Sequence, residues 1–179
     1  MRSILIVIVF TCFSIFVSGQ TYTAVDNASS VKFMIKNFGV NVGGTFKGLQ
    51  GKIHFSEADL TSCVFDVSVD ANTVNTGING RDNHLRKEEY FNIEKFPKIS
   101  FVSKHLSATG KSGNYIITGN INIKGTVKVI SFPFTATPQN DGFLFEGTFK
   151  LNRRDFKVGG SSLVLSDNLI VSLSVIAKK

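Results

Sequence analysis

A chain of 179 residues is long enough for one domain with a substantial core and short for two. Its formal charge of +7 comes from 20 Lys and Arg against 13 Asp and Glu, scattered without any block of five like charges, which argues against a nucleic-acid tract and leaves a mildly basic surface. Seventeen phenylalanines and no tryptophan supply apolar area without a polar handle, and two cysteines are too few for a disulfide framework.

The chain opens on Met1 and Arg2, followed by 14 residues (4–17) that are apolar apart from Thr11, Cys12 and Ser14. A membrane-spanning helix needs about 20 apolar residues. This run falls short of that and fits the apolar region of a secretory signal, with Val17-Ser18-Gly19 offering the small residues of a cleavage site. The expectation is a signal peptide over 1–20, cleaved after Gly19 or Gln20, and one domain over 21–179, located in the periplasm or secreted. An uncleaved anchor helix is the alternative. Phe10 and Thr11 stand before Cys12 where a lipoprotein signal has small residues, so Cys12 is not read as lipid-modified. The remaining Cys63 has no partner and reads as a small buried apolar residue.

Beyond residue 20 the dominant period is two. Val31, Phe33 and Ile35 alternate with Lys32, Met34 and Lys36. Residues 42–46 and 52–56 read as an early strand pair joined by Gly48-Leu49-Gln50-Gly51. Cys63, Phe65, Val67, Val69 and Ala71 alternate with residues that include Asp66, Ser68, Asp70 and Asn72. Further strands are expected over 99–104, 115–123, 126–137, 143–151 and 169–177, separated by Gly-, Asn- and Asp-rich turns. Pro133 inside one of them demands an edge, a bulge or a bend. Alternating side chains face opposite sides of a sheet, so each segment has one apolar and one mostly wet face, as antiparallel strands do. The stretch 77–92, GINGRDNHLRKEEYFN, breaks the rule. It predicts a short helix over 81–90, with Asp82 or Asn79 near its N-terminus, lying as a lid or plug across one end.

Strand length then selects architecture. The segment 63–73 is longer than the usual strand of about five or six residues. About eight long antiparallel strands close into an up-and-down barrel, which leaves no exposed edge. The predicted fold is therefore an all-β, closed antiparallel barrel of approximately eight strands with a short helical segment between two of them. A two-sheet sandwich is the alternative at this point.

The chemistry of catalysis has no defensible constellation. His54, His84 and His105 are not at metal-ligand spacing with one another or with a cysteine, and there is no nucleophile elbow or phosphate loop. No enzyme activity, metal or cofactor is expected. Two polar clusters remain. Arg81, Asp82 and His84 suit either a tie between lid and rim or a set of donors for a polar head group, the tie being favoured. Asn152-Arg153-Arg154-Asp155-Phe156 ends a Phe-rich strand. Its guanidinium groups point to opposite sides if the strand continues, one of them toward the mouth as an anion donor. An Arg–Asp tie at the strand end is the competing role, and the favoured one.

In order along the chain, several motifs resemble the YceI-like family of lipid- and polyisoprenoid-binding proteins: Tyr22, Asp26, Ser30 and Phe33; Gly44-Thr45-Phe46, Gly51 and Ile53-His54-Phe55; Thr76 with Arg81-Asp82-Asn83-His84-Leu85; Phe91 and Phe96-Pro97-Lys98-Ile99-Ser100-Phe101; the run 119–126, GNINIKGT; and Arg153-Arg154-Asp155-Phe156. Lys157, where the family often has Gly, and Asn122, in place of a typical Thr, depart from the pattern. The resemblance implies a lipocalin-like barrel, bacterial export and a hydrophobic cavity for a long-chain amphiphile such as a polyprenyl lipid or isoprenoid quinone. With the inward faces read above, the expected lining is Phe33, Ile35, Phe65, Val67, Phe101, Phe145 and Phe149. Arg81, Asp82, His84 and Arg153 are head-group or lid candidates. The expected partner is an isoprenoid or fatty lipid, carried or sequestered, with transient membrane contact and no nucleic acid. A filled barrel acting through its surface, as a stress-response or interaction protein, is the alternative.

Overall fold

Alternation along the chain becomes antiparallel pairing in the computed structural model, which describes residues 20–179. The expected signal peptide falls almost entirely outside the described residues; Gln20 already opens the first strand. The strands are β1 (Gln20–Ala24), β2 (Ser30–Asn37), β3 (Val40–Phe55), β4 (Val64–Asn75), β5 (Lys98–Ala108), β6 (Asn114–Ile123), β7 (Thr126–Gln139), β8 (Gly142–Asn152) and β9 (Leu165–Lys178). Among the described residues one α-helix, α1 (Asn79–Arg86), connects β4 to β5, and a 3-10 turn over Arg153–Phe156 follows β8.

The strands pair in the order β1-β3-β2-β9-β8-β7-β6-β5-β4, and β4 returns to β3. Strands β2 to β9 thus form a closed ring, and β1 is an extra strand wedged between the far end of β3 and the end of β9. Closure satisfies the backbone groups that a sandwich would leave at its edges. The barrel reading holds, and the sandwich does not.

Two local expectations change. Residues 42–46 and 52–56 are not a pair but parts of one 16-residue strand, β3. Gly48 (φ 70°) and Gly51 (φ 139°) adopt conformations closed to most L residues, and the β3–β4 register shifts between Lys47 and Gln50. A Cβ at Gly51 would strike the Asp66 carbonyl. The glycines bend the strand into the barrel wall instead of reversing it. Its first part pairs with β2 and its last with β1. The helix begins earlier and ends earlier than 81–90. Ile78 is its N-cap and supplies no side-chain bond. It stops where the Lys87 N–H bonds to the His84 carbonyl, and the chain then turns so that the Phe91 N–H meets the Leu85 carbonyl. Ending there lets Leu85 and Phe91 both reach the core cluster of Phe46, Leu49, Val69 and Val74.

Pro133 sits at an edge, as its missing N–H requires. It pairs with Ile116 of β6, while the β7–β8 ladder begins one residue later, at Phe134 opposite Gly147. Toward the helix-bearing end β7 and β8 therefore separate, and side chains fill the seam, with Phe132 stacked on Phe149 at 4.3 Å.

Inward-facing residues do not fill the ring evenly. The β1 end holds a continuous apolar cluster that includes Tyr22, Ile53, Phe55, Phe65, Leu106, Tyr115, Phe134, Phe145 and Ala177. Cys63 belongs to it: the Ser56 N–H lies 3.2 Å from the Cys63 sulfur, and burial pushes the thiol pKa up. The other end is different.

Candidate functional site

An apolar cavity of about 650 Å³ occupies the helix-bearing half of the barrel. Its floor is the aromatic cluster, reached at Phe65, Phe134 and Phe145. Its walls come from alternate residues of facing strands: Phe33 and Ile35 on β2, Val67 and Val69 on β4, Phe101 on β5, Phe149 and Leu151 on β8, and Leu169, Val171 and Leu173 on β9. All seven residues expected from inward faces (Phe33, Ile35, Phe65, Val67, Phe101, Phe145 and Phe149) line it. The β9 wall was equally legible as alternation of Leu169, Val171, Leu173 and Val175 with Asn168, Ile170, Ser172 and Ser174. Tyr90, Phe156 and Val158 also line the cavity, but they lie beyond the strands, where period two gives no signal.

The mouth is bounded by polar groups that include Asn37, Thr76, Arg81, His84, Glu89, Ser161 and Ser162. Thr76 organises one side of it. Its hydroxyl donates to the Asp82 carboxylate and accepts from Arg81 Nε at 2.7 Å. The Thr76 N–H also donates to Asp82, at 2.9 Å, and the Thr76 carbonyl accepts from Arg81 Nη2 at 2.9 Å. The Thr76 hydrogen bonds hold the Asp82 carboxyl below the usual carboxylate range. Asp82 is buried and does not line the cavity. Both Thr76 bonds fall on Oδ1, and they tie α1 to the end of β4, the lid role open to Asp82. Arg81 is fixed through Nε and Nη2, and its Nη1 has no protein partner among the described residues. The result is a held guanidinium with donors to spare at an apolar cavity, an arrangement suited to an oxygen acceptor or an anion.

His84 lies on the rim with its side chain about half exposed. It packs edge-on against Tyr90 at 4.9 Å and stands 3.9 Å from the Glu89 carboxylate, a contact too long and too wet to fix it strongly. Arg86, unremarked in the sequence, staples the helix by donating to the Asn72 and Val74 carbonyls.

Arg153 contradicts its head-group assignment. The strand ends at Asn152, whose side chain accepts from the Arg154 N–H, and the chain enters the 3-10 turn. That turn folds Arg153 into the protein, where it is only 5% exposed. Its Nε donates to the Ser166 carbonyl, Nη1 to the Val158 and Gly160 carbonyls, and Nη2 to Asp167 at 2.7 Å and the Leu165 carbonyl. All five donors are matched, so nothing is left for a ligand. Arg153 is the post around which residues 157–167 wrap; Arg154 is exposed. Lys124 completes the frame, donating to the Glu89 and Lys157 carbonyls and so joining the lid segment to this turn. Burial lowers the Lys124 pKa. Among the described residues, no group of three or more His, Cys, Asp or Glu is disposed to hold a metal.

A closed antiparallel barrel with an apolar interior opening at one end beneath a short helix defines a lipocalin-like class of binding fold. The chain belongs to the family with the YceI-like domain, whose model matches residues 22–177. The protein YceI of Salmonella arizonae is 32% identical over 137 residues, covering 72% of this chain and 70% of that protein. The crystal structure of BcnA from Burkholderia cenocepacia superimposes with a TM-score of 0.79 at 21% identity, covering 84% of this chain and 96% of that one. A polyisoprenoid-binding domain from Saccharophagus degradans superimposes with a TM-score of 0.72 at 17% identity over 88% and 97% of the two chains.

Proposed function

We propose that this protein is exported through a cleaved signal peptide and, in the periplasm or outside the cell, carries or sequesters a long-chain amphiphile of the polyisoprenoid or isoprenoid quinone class. The observation that carries this reading is the cavity of about 650 Å³, walled by Phe33, Ile35, Val67, Phe101 and Phe149, with the spare donors of Arg81 at its mouth. Its volume lies in the range of about 300–1,000 Å³ usual for small-molecule sites. Each buried methylene contributes on the order of 0.8 kcal/mol, so about ten of them reach micromolar affinity before any polar contact. The chain lies along the barrel axis with its polar head toward Arg81 and His84. Catalysis has no part in this reading. The Saccharophagus polyisoprenoid-binding domain shares the fold and supports the ligand class. The alternative of a filled barrel acting through its surface describes only the β1 end, and the cavity speaks against it.

The test is mass spectrometry of organic extracts from natively purified protein, followed by titration of the delipidated protein with a polyprenyl phosphate and a quinone. Stoichiometric recovery or uptake of an isoprenoid lipid is expected. A barrel that is isolated empty and takes up neither probe overturns the reading.

A further inference from the structure

The rim beside the cavity carries large apolar side chains that the fold leaves uncovered. Phe38 is 75% exposed, Val40 is 65% exposed, and Leu163 is fully exposed. They come from two segments, the β2–β3 turn and the loop 157–164, which the Phe38 N–H joins by donating to the Val164 carbonyl at 2.9 Å. Phe38 (φ 50°) and Gly39 (φ 75°) both have positive φ, the backbone of a tight two-residue hairpin turn. That turn holds Phe38 out at the tip, although a bulky residue is disfavoured in this conformation and the neighbouring Gly39 is not. Arg153 fixes the other segment through the Val158 and Gly160 carbonyls. Phe38 and Val164 also line the cavity, so the exposed apolar surface is continuous with the apolar interior.

We infer that this lip docks the barrel mouth onto the surface of an anionic lipid bilayer. Large exposed apolar groups gathered at one rim are the mark of an interaction surface. Residues 36–40 and 157–164 carry two charges, Lys36 and Lys157, and no acid. Two copies meeting lip to lip bring like charges together, which disfavours a self-associating face; lipid phosphates meet the same lysines with opposite charge. The contact is a shallow one made by the protruding tip of the β2–β3 turn and the loop beside it. Docked in this way, the mouth receives an acyl or prenyl chain from the bilayer without passing it through water. This purpose rests on the lipid-carriage reading above; the lip itself rests on exposure and charge.

The chain has no tryptophan, so Phe38→Trp introduces a single reporter. With phosphatidylglycerol vesicles, its emission is expected to shift to the blue and to be quenched by acyl-brominated lipid. Asn140→Trp, in the turn at the opposite end of the barrel, stays in water. The double variant Val40→Ser, Leu163→Ser changes only exposed side chains outside the cavity lining and is expected to weaken vesicle co-sedimentation at least about tenfold, the scale set by removing two apolar groups from a membrane contact. It keeps the uptake of detergent-dispersed polyprenyl phosphate. Added salt weakens the contact. Three results overturn the inference: no emission shift and no co-sedimentation with anionic vesicles, equal shifts at positions 38 and 140, or a shift that appears without vesicles as the mass doubles with concentration. Vesicle docking by a barrel that takes up no isoprenoid upholds the lip and instead removes the lipid-carriage reading.

Discussion

At the β1 end of the barrel, Phe55 meets Phe65, Tyr115, Phe143 and Phe145 with ring centroids 5.1 to 6.2 Å apart, each pair close to edge-on. Toward the mouth, Phe33, Phe101 and Phe149 border the open cavity. One residue type thus builds a solid floor and a hollow chamber in the same ring of strands. The difference lies in what enters the ring. At the floor, β1 adds a strand, and the β3–β4 connection brings Leu60 and Cys63 inward. At the mouth, β7 and β8 part at Pro133, and the helix and the turn around Arg153 roof the opening, with Leu85, Phe156 and Val158 on the cavity's lining. A count of phenylalanines cannot separate packing from lining; the elements at each end do.

The comparison is broken most sharply by truncating one ring in each half. Phe55→Ala removes a side chain enclosed on all sides and is expected to cost about 3–5 kcal/mol of stability. Phe149→Ala, whose ring already borders empty space, loses fewer contacts and is expected to cost about 1–2 kcal/mol. Chemical denaturation measures both. Equal losses erase the distinction between floor and chamber. Lipid uptake divides the other way: Phe149→Ala alters it, and Phe55→Ala, where folded, leaves it intact.

Arg153 gives the next largest effect. Arg153→Met keeps the apolar stem and deletes five donors, leaving the Val158, Gly160, Leu165 and Ser166 carbonyls to find new partners. A loss of about 2–4 kcal/mol is expected. Hydrogen exchange is expected to quicken first at the Val158 and Gly159 amides. A variant of native stability that had lost only head-group affinity would return Arg153 to the ligand.

Most of the barrel was legible in the chain because period two is a local property. Phe33, Phe65, Phe101 and Phe149 declare their faces through their immediate neighbours, and all of them face inward. The bend of β3 was not legible. Gly48 and Gly51 signal a turn or a bulge equally well, and only the distant partners, β1 on one side and β4 on the other, decide between them. The partners of Arg153 were not legible for a related reason. Its motif marks a special position, but whether a guanidinium faces a ligand or four carbonyls depends on where the following ten residues travel. The same limit applies to the lip: Phe38 falls between the alternating segments 31–36 and 42–46, and only the folded turn places it at the tip.

Arg81 tests the chamber's polar rim. Arg81→Met removes the spare donors and is expected to weaken a polyprenyl phosphate about tenfold, equivalent to about 1.4 kcal/mol, while leaving an uncharged isoprenoid almost unaffected. Arg81→Lys restores charge without the fork that Thr76 holds, and recovers part of the loss. Titrations with the charged and uncharged probes, compared pairwise, check this. Equal weakening of both assigns Arg81 to structure.

The smallest effect expected is one of pH, and it separates the roof from the barrel. The Asp82 carboxyl is held below the ordinary range by the Thr76 hydroxyl and amide, so the folded state favours its ionised form. A depressed carboxyl contributes stability that is complete above its unfolded pKa of about 3.9 and is lost as pH falls through the lower folded value. Asp82→Asn keeps the shape and an acceptor oxygen but has no proton to gain. The stability of the native protein relative to this variant is therefore expected to be constant from neutral pH to about pH 5 and to shrink below about pH 4. The loss should be local. The exchange rate of the Thr76 amide, which donates to Asp82, should rise with acid in the native protein before the amides of β6 respond. If β6 and Thr76 respond together, the helix is not a separately held roof and barrel and lid unfold as one body. If Thr76 responds alone, the chamber has a cover that acid loosens while its walls stay closed.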